Sequence, residues 1–140
     1  MNITKKALYE FILERRNAVV ATVSDRGAPE AARIYVAVTP ELELIFYTLE
    51  TSRKCQNLRR DPRIAVAIGW DNEQTLQYEG IADEPGDVHL DDLKRAYLEI
   101  WPDAAQRTEW PEVTFFRVRP QWIRFSSYGP RWHVDELSFA

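Results

Sequence analysis

LIFYTLETSRKCQNLRRDPRIAVAI, residues Leu44–Ile68, decides how this chain is read. An apolar strand runs into Thr48 and a polar corner; Ser52-Arg53-Lys54 then opens a short helical segment, Asp61-Pro62 closes it, and a second apolar strand begins. Ser52 is an N-cap residue type, and a helix stops before Pro62 because proline restricts the residue that precedes it. Backbone N–H groups at a helix start have no partner within the helix and attract anions. Two hydroxyls, an arginine and a lysine at that point suit a phosphate. They also suit a plain cap with two solvated cations, and the local pattern alone leaves both readings open.

Upstream of the corner, Thr4 caps a helix whose Ala7, Leu8, Phe11 and Ile12 share one apolar stripe. Ala18–Ser24 is rich in β-branched residues, Asp25-Arg26-Gly27 supplies a turn, and Glu30–Val38 returns as a second strand, so the pair reads as a hairpin. Thr39-Pro40-Glu41 makes the next turn and Glu43–Thr48 the third strand, which leads into the helix Ser52–Arg60.

Downstream, Arg63–Trp70 and Leu76–Ala82 read as two more strands, and Asp91–Trp101 as a helix with Leu93, Ala96, Tyr97 and Ile100 on one face. Val113–Val118 and, past Pro120, Trp122–Ser126 are the last strands, with Ser127–Ala140 expected as an extended tail. The expected architecture is mainly β with flanking helices: a single domain over 1–140, six or seven antiparallel strands, short turns and a barrel rather than a parallel sheet. There is no G-x-G-x-x-G and no P-loop, so a nucleotide would have to be held in another way.

Composition narrows the partners. The chain has 140 residues and a formal net charge of −4, which argues against a general nucleic-acid surface. No run of apolar residues is long enough for a transmembrane helix, and the N-terminal residues lack the apolar core of a secretion signal, so a cytoplasmic protein is expected. Cys55 stands alone and cannot form an intramolecular disulfide; His89 and His133 have no ligand-spaced neighbours, so no metal site is expected. Basic residues cluster at Arg53, Lys54, Arg59, Arg60 and Arg63, where they could focus an anionic small ligand. Arg33 stands in a strand otherwise built of Ala, Ile, Tyr and Val, so its charge must face solvent or find a partner.

In this order of elements, and above all in the spacing of Thr48, Ser52, Lys54, Asn57-Leu58 and Asp61-Pro62-Arg63, the chain resembles the FMN-binding split β-barrel family, pyridoxamine 5′-phosphate oxidase-like and general stress protein-like. The hairpin and Gly80-Ile81-Ala82 support the resemblance, which covers nearly the whole chain. It implies a homodimer with FMN sites at the interface, residues of the second subunit closing each. It further implies that the flavin phosphate is bound by Ser52, Arg53 and Lys54 with help from Arg33, and that the ring lies along Arg33, Ile34 and Tyr35 and the end of the strand at Tyr47 and Thr48. Charge-assisted bonds from arginine and lysine are the strong contacts open to a phosphate of about −1.5 to −2 charge.

The C-terminal Pro120-Gln121-Trp122-Ile123-Arg124-Phe125 resembles the family's last strand, and Arg131-Trp132-His133 its Arg-Leu-His substrate element. Ser126 stands where the family has Trp, and Trp132 departs from the triplet, which weakens the transfer of vitamin B6 oxidation. Trp70, Trp122, Tyr128 and Trp132 are either core residues or stacking surfaces. The function implied is a flavin-dependent oxidoreductase of unassigned small-molecule substrate with a donor such as NAD(P)H. A deazaflavin (F420) or haem split barrel, or a non-catalytic flavin-binding stress module, remain alternatives. A haem would need His89 or His133 as its ligand.

Overall fold

The computed structural model describes residues 3–139. Eight strands, three α-helices and two short 3-10 turns make one mixed-order antiparallel sheet that curls into a split β-barrel. The elements are α1 (Lys5–Arg15), β1 (Asn17–Val23), β2 (Pro29–Tyr35), β3 (Ala37–Val38), β4 (Leu44–Leu49), α2 (Arg53–Arg60), β5 (Arg63–Ile68), β6 (Gln74–Asp83), α3 (Asp87–Ile100), β7 (Val113–Ser127) and β8 (His133–Ser138). Strands follow the order β2-β1-β5-β6-β7-β4-β3, with β8 added to β7.

Alternation along each strand builds the interior. Ala18 and Val20 of β1, Ile64, Val66 and Ile68 of β5, Leu76 and Tyr78 of β6, Leu44 and Phe46 of β4, and Phe116, Val118 and Ile123 of β7 join one core with Leu8, Phe11 and Ile12 of α1. The opposite faces of β4 and β7 form a second cluster, in which Ile45 and Phe115 pack under Leu93 and Tyr97 of α3. Caps behave as the sequence indicates: the Thr4 side chain accepts from Ala7 N at 3.1 Å and the Ser52 side chain from Cys55 N at 3.2 Å.

Four boundaries differ from expectation. The expected second strand breaks at Val36, whose N–H donates to Arg16 O, so that β2 and β3 belong to opposite edges of the sheet. Pro120 does not divide the penultimate strand: it sits beside the irregularity at Glu79/Gly80, where its missing N–H costs no ladder bond, and β7 runs through it. The expected tail Ser127–Ala140 is corrected outright over its described residues. Ser127 ends β7, and His133–Ser138 pairs back along Trp122–Ser127 while Leu137 and Phe139 pack against the main core. The helix α3 also starts four residues earlier than Asp91, on Gly86 without a side-chain cap.

Candidate functional site

The edges of the sheet define the site. β2 is one edge, pairing only with β1. At the other edge β3 covers just Leu44 and Ile45 of β4, so the Phe46–Leu49 half of β4 pairs with β7 alone. Because β2 and β3 are consecutive, joined through Val36, these two half-open edges flank the split of the barrel. Their unpaired backbone groups are donors and acceptors available to a ligand.

One end of the split is closed by α2. Thr48 Oγ1 and Ser52 Oγ lie 2.9 Å apart, tying the last buried residue of β4 to the helix cap. Arg53 Nη1 reaches Glu30 Oε2 at 3.2 Å and so links α2 to β2. Glu30 Oε1 also accepts from Asn57 Nδ2 at 2.8 Å, and Asn57 donates to Thr22 Oγ1 at 3.0 Å. A buried amide therefore holds the carboxylate that holds the arginine. Lys54 lies half-buried beside them, lining a cavity of about 170 Å³ with Val20, Thr22, Glu30, Ala31, Ala32 and Arg53. Burial lowers its pKa, the neighbouring Cys55 opposing this more weakly. Burial likewise pushes the Cys55 thiol up, which keeps it protonated and unreactive.

Along β2, alternation separates the candidates. Ile34 turns into the main core, whereas Arg33 and Tyr35 project from the other face. Arg33 Nη2 donates to Tyr35 Oη at 3.0 Å, and Arg33 borders a second cavity, of about 440 Å³, with Arg15, Asn17, Trp70 and Asp71. Tyr35 packs on Trp101 with centroids 5.0 Å apart. On β4, Tyr47 faces away from Thr48 and packs on Tyr97 and Phe115.

The structure thus gathers Thr48, Ser52, Arg53 and Lys54 at one corner, and sets Arg33, Tyr35 and Tyr47 along the outer side of the split. A single protomer does not bring the C-terminal pair to either group. Arg131 and His133 belong to the β7–β8 turn and the start of β8, at the far end of β7 from the segment that pairs with β4. His133 Nε2 sits 3.0 Å from Asp135 Oδ2, and Tyr128 packs on Trp132 at 5.8 Å. His89 is exposed on α3.

Sequence reasoning passed over Glu30, Asn57 as its holder, Tyr97, Trp101 and Arg107. Glu30 carried a signal, being a lone carboxylate entering a strand that opens on an arginine-rich corner. Arg107 carried none, because it reaches Tyr47 across 60 residues of sequence. Among the described residues no group of three His, Cys, Asp or Glu is placed to hold a metal, and no helix is long and apolar enough to cross a membrane.

Residues 4–127 match the sequence model of the family described as pyridoxamine 5′-phosphate oxidase. A pyridoxine/pyridoxamine 5′-phosphate oxidase of Rubrobacter xylanophilus is 27% identical over 107 residues, 76% of this chain and 48% of that protein. The chain spans about half, or less, of the length of the curated relatives it matches. Among solved structures, a haem-binding protein from Mycobacterium smegmatis superposes with a TM-score of 0.83 at 18% identity, covering 99% of this chain and 59% of that one. A pyridoxamine 5′-phosphate oxidase-related, FMN-binding protein from Nostoc punctiforme gives a TM-score of 0.70 at 15% identity, with both chains fully covered. At such identities these structures share the fold.

Proposed function

The chain belongs to the pyridoxamine 5′-phosphate oxidase family, and from that membership we propose that it is an FMN-binding, flavin-dependent oxidoreductase of a small-molecule substrate. Lys54 carries the reading. It is a half-buried ammonium with no ion pair or hydrogen bond among the described residues, and desolvation already disfavours its charge. A phosphate placed beside it would reverse that penalty, since an opposite charge within a few ångströms favours the charged form. Ser52, the first N–H groups of α2 and Arg53 supply further donors at the same corner. The donor set therefore fits a phosphate monoester.

FMN bound there would supply hydride chemistry, with NAD(P)H a natural donor. The chain's own residues bind and orient. Lys54 and Arg53 hold charge at the phosphate end, the open edges of β2 and β4 offer backbone groups to the ring, and Tyr35 and Tyr47 flank it with apolar surface.

The proposed assembly is a homodimer. Val19, Ala21, Ala65 and Ala67 project from the outer faces of β1 and β5 as a smooth apolar strip, with Trp122 nearby. Covering that strip with a second copy would bury it and set a partner's residues against the split.

The test is a visible spectrum of the purified protein after incubation with excess FMN and desalting. Flavin absorption at about one per chain supports the reading, and a flavin-free spectrum overturns it. Haem is the second reading, favoured by the accessible imidazole of His133 and by the fold shared with the mycobacterial haem-binding protein. Incubation with haemin followed by the same desalting separates it by an intense Soret band.

A further inference from the structure

Most arginines around the split are bound to carboxylates, Arg53 to Glu30, Arg59 to Glu84 and Arg117 to Asp83. Arg107, like Arg33, is hydrogen-bonded to a tyrosine hydroxyl instead. It stands exposed on the 3-10 turn Arg107–Glu109 and donates Nε to Tyr47 Oη at 3.0 Å, with no ion pair among the described residues. Its turn is firmly placed, because the buried Thr108 donates Oγ1 to Ala105 O at 2.9 Å. Holding the guanidinium through Nε leaves the two terminal nitrogens free as a fork.

The surroundings of that fork are aromatic. Tyr47 lies edge-on to Tyr97 at 5.3 Å and tilted to Phe115 at 5.6 Å. Tyr97 Oη in turn reaches toward Tyr35 O at 3.5 Å, and Tyr35 rests on Trp101, whose Nε1 donates to Val36 O at 2.9 Å. Burial pushes the Tyr97 hydroxyl well up. The nearby charges are Arg33, which donates Nη2 to Tyr35 Oη, Asp103, which acts on Arg107 through space, and Glu109, which lies 3.8 Å from Lys94.

We propose that Arg107 receives the carboxylate of a planar aromatic substrate whose ring meets the edge of Tyr47. The proposal rests on the flavin reading, which makes Tyr35 and Tyr47 the flanks of the flavin ring. A carboxylate is favoured over a phosphate ester because one planar fork matches two carboxylate oxygens, while Arg33, the other guanidinium on this side, is turned onto the hydroxyl and ring of Tyr35. Lys94, the nearest lysine on α3, is already engaged by Glu109 and the face of Phe115.

The experiment titrates benzoate and benzyl alcohol into wild type, Arg107→Met and Arg107→Lys. Two readouts are followed: tryptophan fluorescence of the flavin-free chain, and the visible spectrum of the FMN-loaded protein. Benzoate is expected to bind Arg107→Met about tenfold to a hundredfold more weakly than wild type, as for a lost charge-assisted pair. Arg107→Lys should recover part of that affinity, and benzyl alcohol should bind all three alike. Equal benzoate affinity in wild type and Arg107→Met, an equal loss of benzyl alcohol, or no benzoate binding at all would overturn the proposal. A wild type that takes no FMN ends the flavin reading instead, and the fluorescence titration still decides the role of Arg107.

Discussion

The hydroxyls of Thr48 and Ser52 lie 2.9 Å apart, one at the end of β4 and the other at the cap of α2. Ser52 Oγ also accepts from Cys55 N at 3.2 Å, so a single oxygen couples a strand end to a helix start. The corner that would receive a phosphate is therefore fixed before any ligand arrives, which lowers the ordering cost of binding.

Ser52→Ala removes both interactions. We expect a loss of about 1–2 kcal/mol in unfolding free energy, the upper part of the range for a helix cap. Thr48→Val keeps the cap and should cost less. Urea denaturation of the two variants checks the order, and a milder effect for Ser52→Ala than for Thr48→Val would contradict it.

Lys54→Ala is expected to weaken FMN binding by roughly 1.5–3 kcal/mol, the scale of a hydrogen bond to a charged group. Thermal stability should fall little, because this ammonium has no partner among the described residues and is desolvated. Fluorescence titration with FMN and a melting curve read the two quantities separately. An unchanged affinity would remove Lys54 from the phosphate site.

Glu84 gives a pH dependence. Arg59 donates Nε and Nη2 to its two oxygens at 3.0 and 2.8 Å, and Thr114 Oγ1 donates at 2.8 Å. Its carboxyl is held below the ordinary glutamate value of 4.5, first by the Arg59 hydrogen bond. A lowered folded-state pKa means stability that is complete above the unfolded value and disappears as acid protonates the folded state. Glu84→Gln should thus be less stable than wild type at about pH 7, with the gap narrowing toward about pH 3. A gap that stays constant over this range would sink the assignment.

Gly80 stands at the irregularity between β6 and β7. A Cβ there would collide with Arg119 O, and would lie 2.8 Å from Val118 Cγ1 and 3.0 Å from Tyr78 Cε1. Gly80→Ala is expected to cost about 1–3 kcal/mol, as overpacking does in a core that cannot shift. Tyr78 is anchored, donating Oη to Leu42 O at 2.7 Å, so it has little freedom to yield. Calorimetry that found no loss would show that the irregularity relaxes.

Local signals carried the caps and turns into view. Thr4, Ser52 and Pro62 mark helix ends through short-range stereochemistry, and the Asp25-Arg26-Gly27 turn needs a residue at positive φ, which Gly27 provides at 79°. The family spacing of Thr48, Ser52 and Lys54 exposed the cationic corner for the same reason, since its members lie within one turn of chain. What stayed hidden depends on distant partners. The strand β8 has Tyr128-Gly129-Pro130 before it and only Val134, Leu137 and Phe139 as apolar marks, too sparse to declare a strand without β7 alongside. The start of α3 was hidden because Gly86 offers no capping side chain and Val88 lies outside the apolar face. The resemblance joins Arg33 and Lys54 in one phosphate grip; within a single protomer they line separate cavities.

The long strand β7 pairs with β4, β6 and β8 along its 15 residues. On a ribosome, the strands emitted before it can form only the β2-β1-β5-β6 sheet and the small β3–β4 pair, each with a bare margin where β7 will later lie. The two halves of the split are then held together by the covalent chain, by α1 and α2, and by Tyr78, whose Oη donates to Leu42 O. Closure waits for β7, and until then the margins of β4 and β6 are open to strands of other nascent chains. The strand that closes the split is thus the one that covers those margins.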